Sequence, residues 1–302
     1  MTSSRIKLLV MGGLGNQLFQ YATALYIAKK NSASVIVDYT YLKFFGVQHQ
    51  TSLEDLSFKK PLQVKVDKNN YYILRKTLVR ILGLTKRIPF LSRFLRRYFG
   101  IFLSNTIDEH VHLEKMANVR LVHGYFQTKN HIDVLRESMQ LPVKPINLSD
   151  TYSENYNLII EKEMVAIHVR LGDYRDEKET IGNLSEDYYL NAQALFESKF
   201  PNSNYLIFTN DTESISSDFS ILLSKKSNKL FAPEIQLRDA EIFSLMSACK
   251  GHIIANSTFS YWAAALSTDS RMVVRPSKWF KGLSEPQDLF PTEWQNTSSK
   301  WI

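Results

Sequence analysis

Cysteine is almost absent from the sequence, since Cys249 is the single one in 302 residues. A framework of internal disulfides is therefore excluded, and a reducing compartment suits such a chain. Long apolar runs are missing too, because no window approaches the ~20 consecutive apolar residues of a membrane-spanning helix. The first residues lack the apolar segment and the small-residue cleavage site of a signal peptide. We therefore predict a cytoplasmic protein.

Patterns of metal ligands are lacking as well. The seven histidines are scattered, and neither H-x-x-x-H nor C-x-x-C spacing occurs. Such spacings are what place several ligands around one ion. The sequence therefore predicts no metal site.

Acidic residues are missing from residues 68–107, a stretch that contains nine lysines and arginines interleaved with aromatic residues and leucines. One interpretation is a basic amphipathic surface at the inner face of an anionic membrane. Another is a pair of packed helices whose basic faces are merely solvated. Nucleic acid is not expected as a partner, because no nucleic-acid motif accompanies the charge.

The order of apolar segments predicts an α/β protein. A strand at residues 6–10, a glycine-rich turn, a helix and a strand at 34–38 form a βαβ unit, which implies a parallel sheet. The pattern restarts after residues 144–157, whose polar, turn-rich composition predicts a linker. We expect two Rossmann-like domains, residues 1–150 with the basic insertion and residues 158–302. Ligands should bind at the carboxyl ends of the strands.

The glycine-rich turn is the first candidate site. Gly13, Gly15, Asn16 and Gln17 stand where a strand meets a helix, and exposed N–H groups at a helix start favour an anionic ligand. A dinucleotide fingerprint would need a third glycine where Leu18 stands. A tight turn without a ligand is the simpler alternative.

A histidine and an arginine follow the first strand of the second half. Alternation along a strand places His168 and Arg170 on the same face. A guanidinium there can hold a diphosphate through two parallel hydrogen bonds. The alternative is that Arg170 pairs with Asp173 in a structural turn and that His168 is a buried strand residue.

Four residues between a strand and an apolar helix form the last candidate site. Asn256, Ser257 and Thr258 are good helix caps, and their hydroxyl and N–H groups also make a phosphate-binding nest. Capping explains one such residue rather than several in a row. Phe259 is of a type that packs in a core more often than it stacks on a base.

Six segments of the chain resemble the α-1,2-fucosyltransferases. Their order and spacing cover residues 11–266. The segments are GGLGNQLFQYA (12–22), GYFQ (124–127), HVRLGDY (168–174), FTND (208–211), SACK (247–250) and NSTFSYWAA (256–264).

The resemblance implies a GT-B-type fold, with two Rossmann-like domains facing across a cleft. The C-terminal domain would bind GDP-fucose, and the N-terminal domain would shape the site for a galactose-containing glycan, as in a surface polysaccharide repeat unit. Fucose would move with inversion to the 2-hydroxyl of galactose, without a metal or other cofactor. Arg170 matches the arginine that holds the donor pyrophosphate, and His168 its neighbour; these two are the expected catalytic residues. The donor site also includes positions 256–259 and the glycine turn.

Two positions depart from the family pattern. Leu171 stands where a second arginine is usual, so Arg170 carries more of the donor contact. The acid before the C-terminal helix is displaced, which leaves Asp239 or Glu241 to contact guanine. No residue stands out as the general base.

Two other functions compete with this one. Gly13, Gly15 and Asp38 would suit a nicotinamide-dependent oxidoreductase, because an acid after the second strand can bind ribose. The basic stretch would also suit a non-catalytic module that binds glycans or a membrane surface.

Overall fold

The computed structural model describes residues 4–40, 42, 53–65, 88–104, 118–172, 177–233 and 235–302. The chain divides into two compact units. Unit 1 consists of residues 1–54, 58–139 and 286–289, and unit 2 of residues 55–57, 140–285 and 290–302. Among the residues that the structure describes, no helix is both long enough and apolar enough to cross a bilayer.

Unit 1 is built on a parallel sheet with the strand order β3-β2-β1-β5-β4. Its described strands are β1 (Ser4–Leu9), β2 (Ala33–Asp38), β3 (Gln63–Lys65), β4 (Ile101–Leu103) and β5 (Leu121–His123). Its described helices are α1 (Leu14–Lys30), α2 (Pro89–Phe99) and α3 (Ile132–Ser138).

Helix α1 begins directly after the glycine turn. Leu18, Phe19 and Ile27 are buried along it, and so are polar residues such as Gln17 and Gln20. The helix ends at Asn31, whose Nδ2 donates to the Ile27 carbonyl. Burial on most sides fixes the helix against β1 and β2, which sets the position of its N-terminus.

Unit 2 contains the second parallel sheet, with the strand order β11-β10-β9-β6-β7-β8. Its strands are β6 (Val165–Val169), β7 (Tyr205–Thr209), β8 (Asn228–Leu230), β9 (Gly251–Ile253), β10 (Val273–Pro276) and β11 (Gln295–Thr297). Its helices are α4 (Asp150–Glu161), α5 (Glu186–Lys199), α6 (Thr212–Asp218), α7 (Ser220–Ser224), α8 (Asp239–Ser247) and α9 (Thr258–Ala265).

The main hydrophobic core of unit 2 lies between its sheet and α5. Ile167 and Val169 of β6 pack there with Tyr188 and Phe196 of α5, all fully buried. Each such side chain contributes roughly 1.5–3 kcal/mol by leaving water. This core anchors β6 as a central strand, and Ala166 and His168 lie on the other face of that strand.

Each sheet reverses its winding direction next to its first strand. In unit 1 the chain passes from β1 to β2 and β3 on one side and then fills β4 and β5 on the other. In unit 2 it passes from β6 to β7 and β8 and then to β9, β10 and β11. Ligands of open α/β sheets bind at the carboxyl ends of the strands that border such a reversal. These points lie between β1 and β5 and between β6 and β9.

The structure corrects the predicted linker at residues 144–157. Most of that stretch belongs to α4, which starts after Ser149, whose Oγ accepts from the Tyr152 N–H. Tyr152 and Ile159 are buried on one face. Two apolar anchors seven residues apart suffice to dock a polar helix, and composition alone concealed them.

Candidate active site

The carboxyl end of β6 carries the pair His168 and Arg170. Because Ile167 and Val169 face the core under α5, His168 lies on the opposite face of the sheet. Arg170 directly follows the strand and is half-buried. Both residues therefore stand at the carboxyl end of β6, beside the reversal point of the unit 2 sheet.

Three polar side chains fix the backbone at Arg170. Asn183 Nδ2 donates to the Arg170 carbonyl at 3.2 Å, and the Leu171 N–H donates to Asn210 Oδ1 at 2.9 Å. The Tyr189 side chain is hydrogen-bonded to the Arg170 backbone. These contacts hold the strand end in place and so set where the guanidinium starts. The sequence pointed to Asn210 through the FTND segment, whereas Asn183 and Tyr189 carried no recognisable signal.

Leu171 and Gly172 shape the backbone directly after Arg170. Leu171 is buried in the hydrophobic core. Gly172 has a φ of 40°, and a Cβ there would collide with the Asn210 amide. The backbone must therefore turn away directly after Arg170, and a charged side chain at position 171 would have to enter the core.

His168 is almost fully buried. Its Nδ1 has no hydrogen-bond partner among the residues that the structure describes. Burial, and then the charge of Arg170, lower the pKa of His168 to about 3. The imidazole is therefore neutral at physiological pH and is a poor proton acceptor, which favours a hydrogen-bonding role over general base catalysis.

The segment after β9 forms the other border of the reversal point. Asn256 is buried, and its Nδ2 donates to the Ile181 and Gly182 carbonyls at 3.2 and 3.0 Å. Ser257 is the N-cap residue of α9, yet its side chain makes no capping hydrogen bond. The first turn of α9 contains no acidic residue. Its N–H groups and the Ser257 hydroxyl thus make a small site suited to an anion.

Phe259 links this helix start to His168. The two rings are 6.0 Å apart, and Phe259 also packs edge-on against Phe243 of α8 at 5.3 Å. Thr258 and Phe259 are half-buried. Phe259 therefore serves chiefly to pack α9 against α8 beside His168.

Glu241 has a structural position within α8. Its Oε1 accepts from the N–H and the Oγ of Ser149, at 3.0 and 2.7 Å, and its Oε2 accepts from the N–H and Nε of Arg238. Burial alone would raise the pKa of Glu241, but these hydrogen bonds outweigh it and lower the pKa. Four donors fill the carboxylate, which leaves Asp239 as the acid available to a ligand. Asp239 lies exposed in the first turn of α8.

The glycine turn in unit 1 is held by two glutamines. Gln20 both donates to the Met11 carbonyl and accepts from its N–H, at 2.8 and 3.0 Å. Gln17 Nε2 donates to the Gly12 carbonyl at 3.0 Å, and Gln17 is fully buried. Gly12 has a φ of 72°. The amide of Gln17 therefore stabilises the turn itself.

Asn16 is the half-buried side chain of this turn. Its Oδ1 accepts a long hydrogen bond, 3.5 Å, from Nε2 of Gln127 in the GYFQ segment after β5. Gly13 is the N-cap residue of α1, whose first turn has no acid, and Gly15 is buried. The glycine turn and the GYFQ segment thus meet at the reversal point of unit 1, whereas the other predicted donor residues belong to unit 2.

Asp38 is not placed as a free ribose-binding acid. Its Oδ1 accepts from the Thr40 N–H at 2.9 Å, and its Oδ2 lies 3.8 Å from Lys7 Nζ. Asp38 is buried at the end of β2. These contacts weaken the nicotinamide hypothesis.

Several predictions lie outside the described residues, among them the Arg170–Asp173 pair and most of the basic stretch 68–107. Over the ranges that the structure does describe, no group of three or more histidine, cysteine, aspartate or glutamate side chains could hold a metal ion.

Comparison with known proteins adds a family and a fold. The sequence model described as "Glycosyl transferase family 11" matches residues 5–298. The chain is 26% identical over 274 residues to an α-1,2-colitosyltransferase of Escherichia coli, covering 89% of this chain and 90% of that protein. It is 29% identical over 295 residues to the O-antigen biosynthesis glycosyltransferase WbnK of Escherichia coli, covering 90% of this chain and 93% of that protein.

A solved structure has a similar fold. The crystal structure of the α-1,6-fucosyltransferase NodZ soaked with GDP-fucose has a TM-score of 0.50 and 12% identity, covering 91% of this chain and 96% of that chain. NodZ comes from Bradyrhizobium. Together with the two parallel sheets, this likeness confirms the prediction of a GT-B-type α/β fold with two Rossmann-like domains.

Proposed function

The chain belongs to glycosyl transferase family 11, and on that premise we propose that it transfers L-fucose from GDP-fucose to the 2-hydroxyl of a galactoside. Membership in a family of glycosyltransferases argues against the nicotinamide-dependent alternative. The fucosyl donor, the galactoside and the linkage are the proposed part.

One observation supports the donor site above all others. Arg170 follows β6, and the segment that leads into the uncapped start of α9 follows the adjacent strand β9, so both border the same reversal point of the unit 2 sheet. Neighbouring strands lie ~4.8 Å apart, so a guanidinium and a helix N-terminus can meet one diphosphate. Their side-by-side placement is what a nucleoside diphosphate requires.

The same groups would act in the transfer step. As the acceptor oxygen bonds to C1 of fucose and its proton passes to water, the bond from C1 to the diphosphate oxygen breaks on the opposite face, and negative charge grows on the departing GDP. Arg170, the N–H groups of α9 and the Ser257 hydroxyl would bind this charge more strongly in the transition state than in the bound donor. Asp239 would accept hydrogen bonds from the guanine edge.

The relative named for colitose transfer favours a second candidate for the sugar. Colitose is 3-deoxyfucose, so the two sugars differ by one hydroxyl group. A site that hydrogen-bonds the 3-hydroxyl of fucose would reject colitose strongly, whereas an apolar site would discriminate only weakly. The transfer assay should therefore compare the nucleotide-linked forms of the two sugars as donors.

The test is a transfer assay of the full chain with GDP-fucose and a panel of β-galactosides that includes a 2-deoxygalactoside. We expect GDP release and a product with an α-1,2 linkage by NMR, and no product from the 2-deoxy acceptor. Arg170→Ala should lower kcat/KM by roughly 10²–10³-fold while the circular dichroism spectrum is unchanged. Arg170→Lys keeps the charge but not the paired hydrogen bonds, so its kcat/KM should lie between those of the unchanged chain and of Arg170→Ala.

Other outcomes would contradict the proposal in identifiable ways. Transfer of colitose but not of fucose would show that colitose is the donor sugar. A glycan that binds while GDP-fucose is never consumed would indicate a non-catalytic binding module. Global unfolding of Arg170→Ala would assign that residue to the turn rather than to the donor.

A further inference from the structure

Helix α2 presents a row of large apolar side chains to water. Phe90, Phe94 and Tyr98 recur at every fourth residue, and Ile88 and Phe99 flank them. The exposed fractions are 77% for Phe90, 66% for Tyr98, 55% for Phe99, 51% for Ile88 and 42% for Phe94. Exposed aromatic groups of this size mark an interaction surface.

The opposite side of α2 docks the helix onto unit 1. Ser92 Oγ donates to the Leu103 carbonyl, and the Arg96 guanidinium lies over the Phe102 ring at 5.6 Å. Leu91 and Leu95 are half-buried on this side. The helix is therefore held in place independently of its aromatic row, so the row is not needed for packing.

The aromatic row is preassembled. Phe94 lies 4.9 Å from Tyr98 and 6.0 Å from Phe99, measured between ring centroids. Ile88 precedes the helix, and Phe90 is its second residue, one turn before Phe94. Together these side chains form one apolar strip along a helix that is roughly 16 Å long.

Helix α2 carries arginines beside the strip and has no acidic residue of its own. Arg93 and Arg97 are exposed and stand one turn apart, next to the aromatic positions. Neither α2 nor residues 68–107 as a whole contain an acidic residue. A second copy of the chain would bring like charges together across the strip, which disfavours self-association.

We propose that α2 binds the surface of an anionic phospholipid bilayer, with its aromatic strip inserted at the depth of the headgroups and its arginines on the lipid phosphates. Phe, Tyr and Ile on one side and Arg on the flank are the composition of an interfacial helix. Tyr98 adds a ring whose hydroxyl stays in the wet layer while its body is buried. The helix lies on the membrane and does not cross it.

The test is co-sedimentation of the full chain with two kinds of vesicle, pure phosphatidylcholine and phosphatidylcholine mixed with phosphatidylglycerol. We expect binding to the anionic vesicles alone, and weaker binding as salt is raised. The double variant Phe90→Ser/Phe94→Ser should bind roughly tenfold more weakly, because it removes two inserted rings. Arg97→Gln should bind about fivefold more weakly, from the loss of one charge near the surface.

Matched controls come from unit 2. Ile221→Ser removes an exposed apolar side chain from α7, and Lys226→Gln removes an exposed charge; both should bind anionic vesicles like the unchanged chain. Thermal midpoints and GDP-fucose turnover in the absence of lipid should be unchanged in all four variants, since none of these side chains lies at the donor site.

Three results would overturn the proposal. The first is no sedimentation with anionic vesicles. The second is equal binding by the α2 variants and their controls. The third is a concentration-dependent dimer that the Phe90→Ser/Phe94→Ser change abolishes, which would make a second copy the occupant of the strip.

Discussion

Ser257 begins α9, yet its hydroxyl is not used to cap the helix. A serine at this position usually accepts a hydrogen bond from the second or third N–H of its helix. Here those N–H groups and the hydroxyl remain together at the reversal point of the sheet. The contrast separates a binding role from a capping role.

Ser257→Ala should therefore change the free energy of unfolding by less than about 0.5 kcal/mol, where the loss of a cap would cost about 1 kcal/mol. The Kd for GDP should rise several-fold, measured by isothermal titration calorimetry. Ser260→Ala is the matched control, because Ser260 Oγ donates to the Ser257 carbonyl inside the helix. A destabilised Ser257→Ala with unchanged GDP affinity would show that capping is the role of this serine.

Asn210 positions Arg170 through one hydrogen bond, from the Leu171 N–H to its Oδ1. Asn210→Ala leaves that buried N–H unpaired, which should cost about 1–3 kcal/mol of stability, and transfer should slow because the strand end moves. Asn210→Asp keeps the acceptor oxygen but adds a negative charge near the diphosphate. It should recover most of the stability and lose affinity for GDP. Equal stability of the Ala and Asp variants by urea unfolding would contradict this role.

At the scale of elements, the first turn of α8 contains two acids, Asp239 and Glu241, whose roles could not be distinguished from sequence spacing alone. The Glu241 carboxylate accepts hydrogen bonds from Ser149 and Arg238, whereas Asp239, two residues earlier, is exposed. Both stand at the start of one helix, where either would suit its dipole. Their different partners lead to opposite expectations.

Glu241→Gln should lower the free energy of unfolding by about 1–3 kcal/mol, because it weakens hydrogen bonds to a charged group, and should leave the affinity for GDP nearly unchanged. Asp239→Asn should do the reverse, with lower affinity for GDP and a thermal midpoint within about a degree or two of the parent. Differential scanning fluorimetry with and without GDP measures both. The assignment is wrong if Glu241→Gln is the variant that loses GDP binding.

The elements also mark how far the sequence predicts the structure. The strands predicted at residues 6–10 and 34–38, which are β1 and β2, and the helix between them, α1, were predicted correctly because burial dictates their composition. The short edge strands β3, β8 and β11 were missed, since three residues carry no period. Helix α4 was taken for a linker because two buried residues hold it.

The candidate site divides in the same way. Residues that we propose to contact the ligand, such as Arg170, stand out in the sequence because a charged side chain directly follows an apolar strand. Residues that hold them, such as Asn183, are found only once the chain has folded. The sequence predicted that Asn256 and Gln17 contact the ligand. In the structure they hold the backbone instead, because their side-chain amides donate to backbone carbonyls.

At the scale of the whole molecule, buried histidines couple folding to pH. Burial lowers the pKa of His131 to about 4 and of His252 to about 4, and burial with the charge of Arg170 lowers that of His168 to about 3. The ordinary value is near 6.5. At a pH between these lowered pKa values and about 6.5, the three histidines are protonated in the unfolded chain and neutral in the folded chain.

Stability should therefore fall as the pH drops from about 6.5 towards 4, with about three protons taken up by these histidines on unfolding near pH 5. Calorimetry in buffers of different ionisation enthalpy measures this uptake. His252→Gln should reduce it by about one proton. An uptake that is the same in the variant would show that His252 is already protonated in the folded chain.

The path of the chain has a consequence for synthesis. Residues 286–289 belong to unit 1, and the Asp288 carbonyl accepts from the Lys129 N–H at 2.7 Å and from the Thr128 hydroxyl. Leu289 is buried as well. On the ribosome, unit 1 is thus complete only after residues 286–289 have been made. A nascent chain stalled before residue 286 should remain sensitive to proteolysis in unit 1.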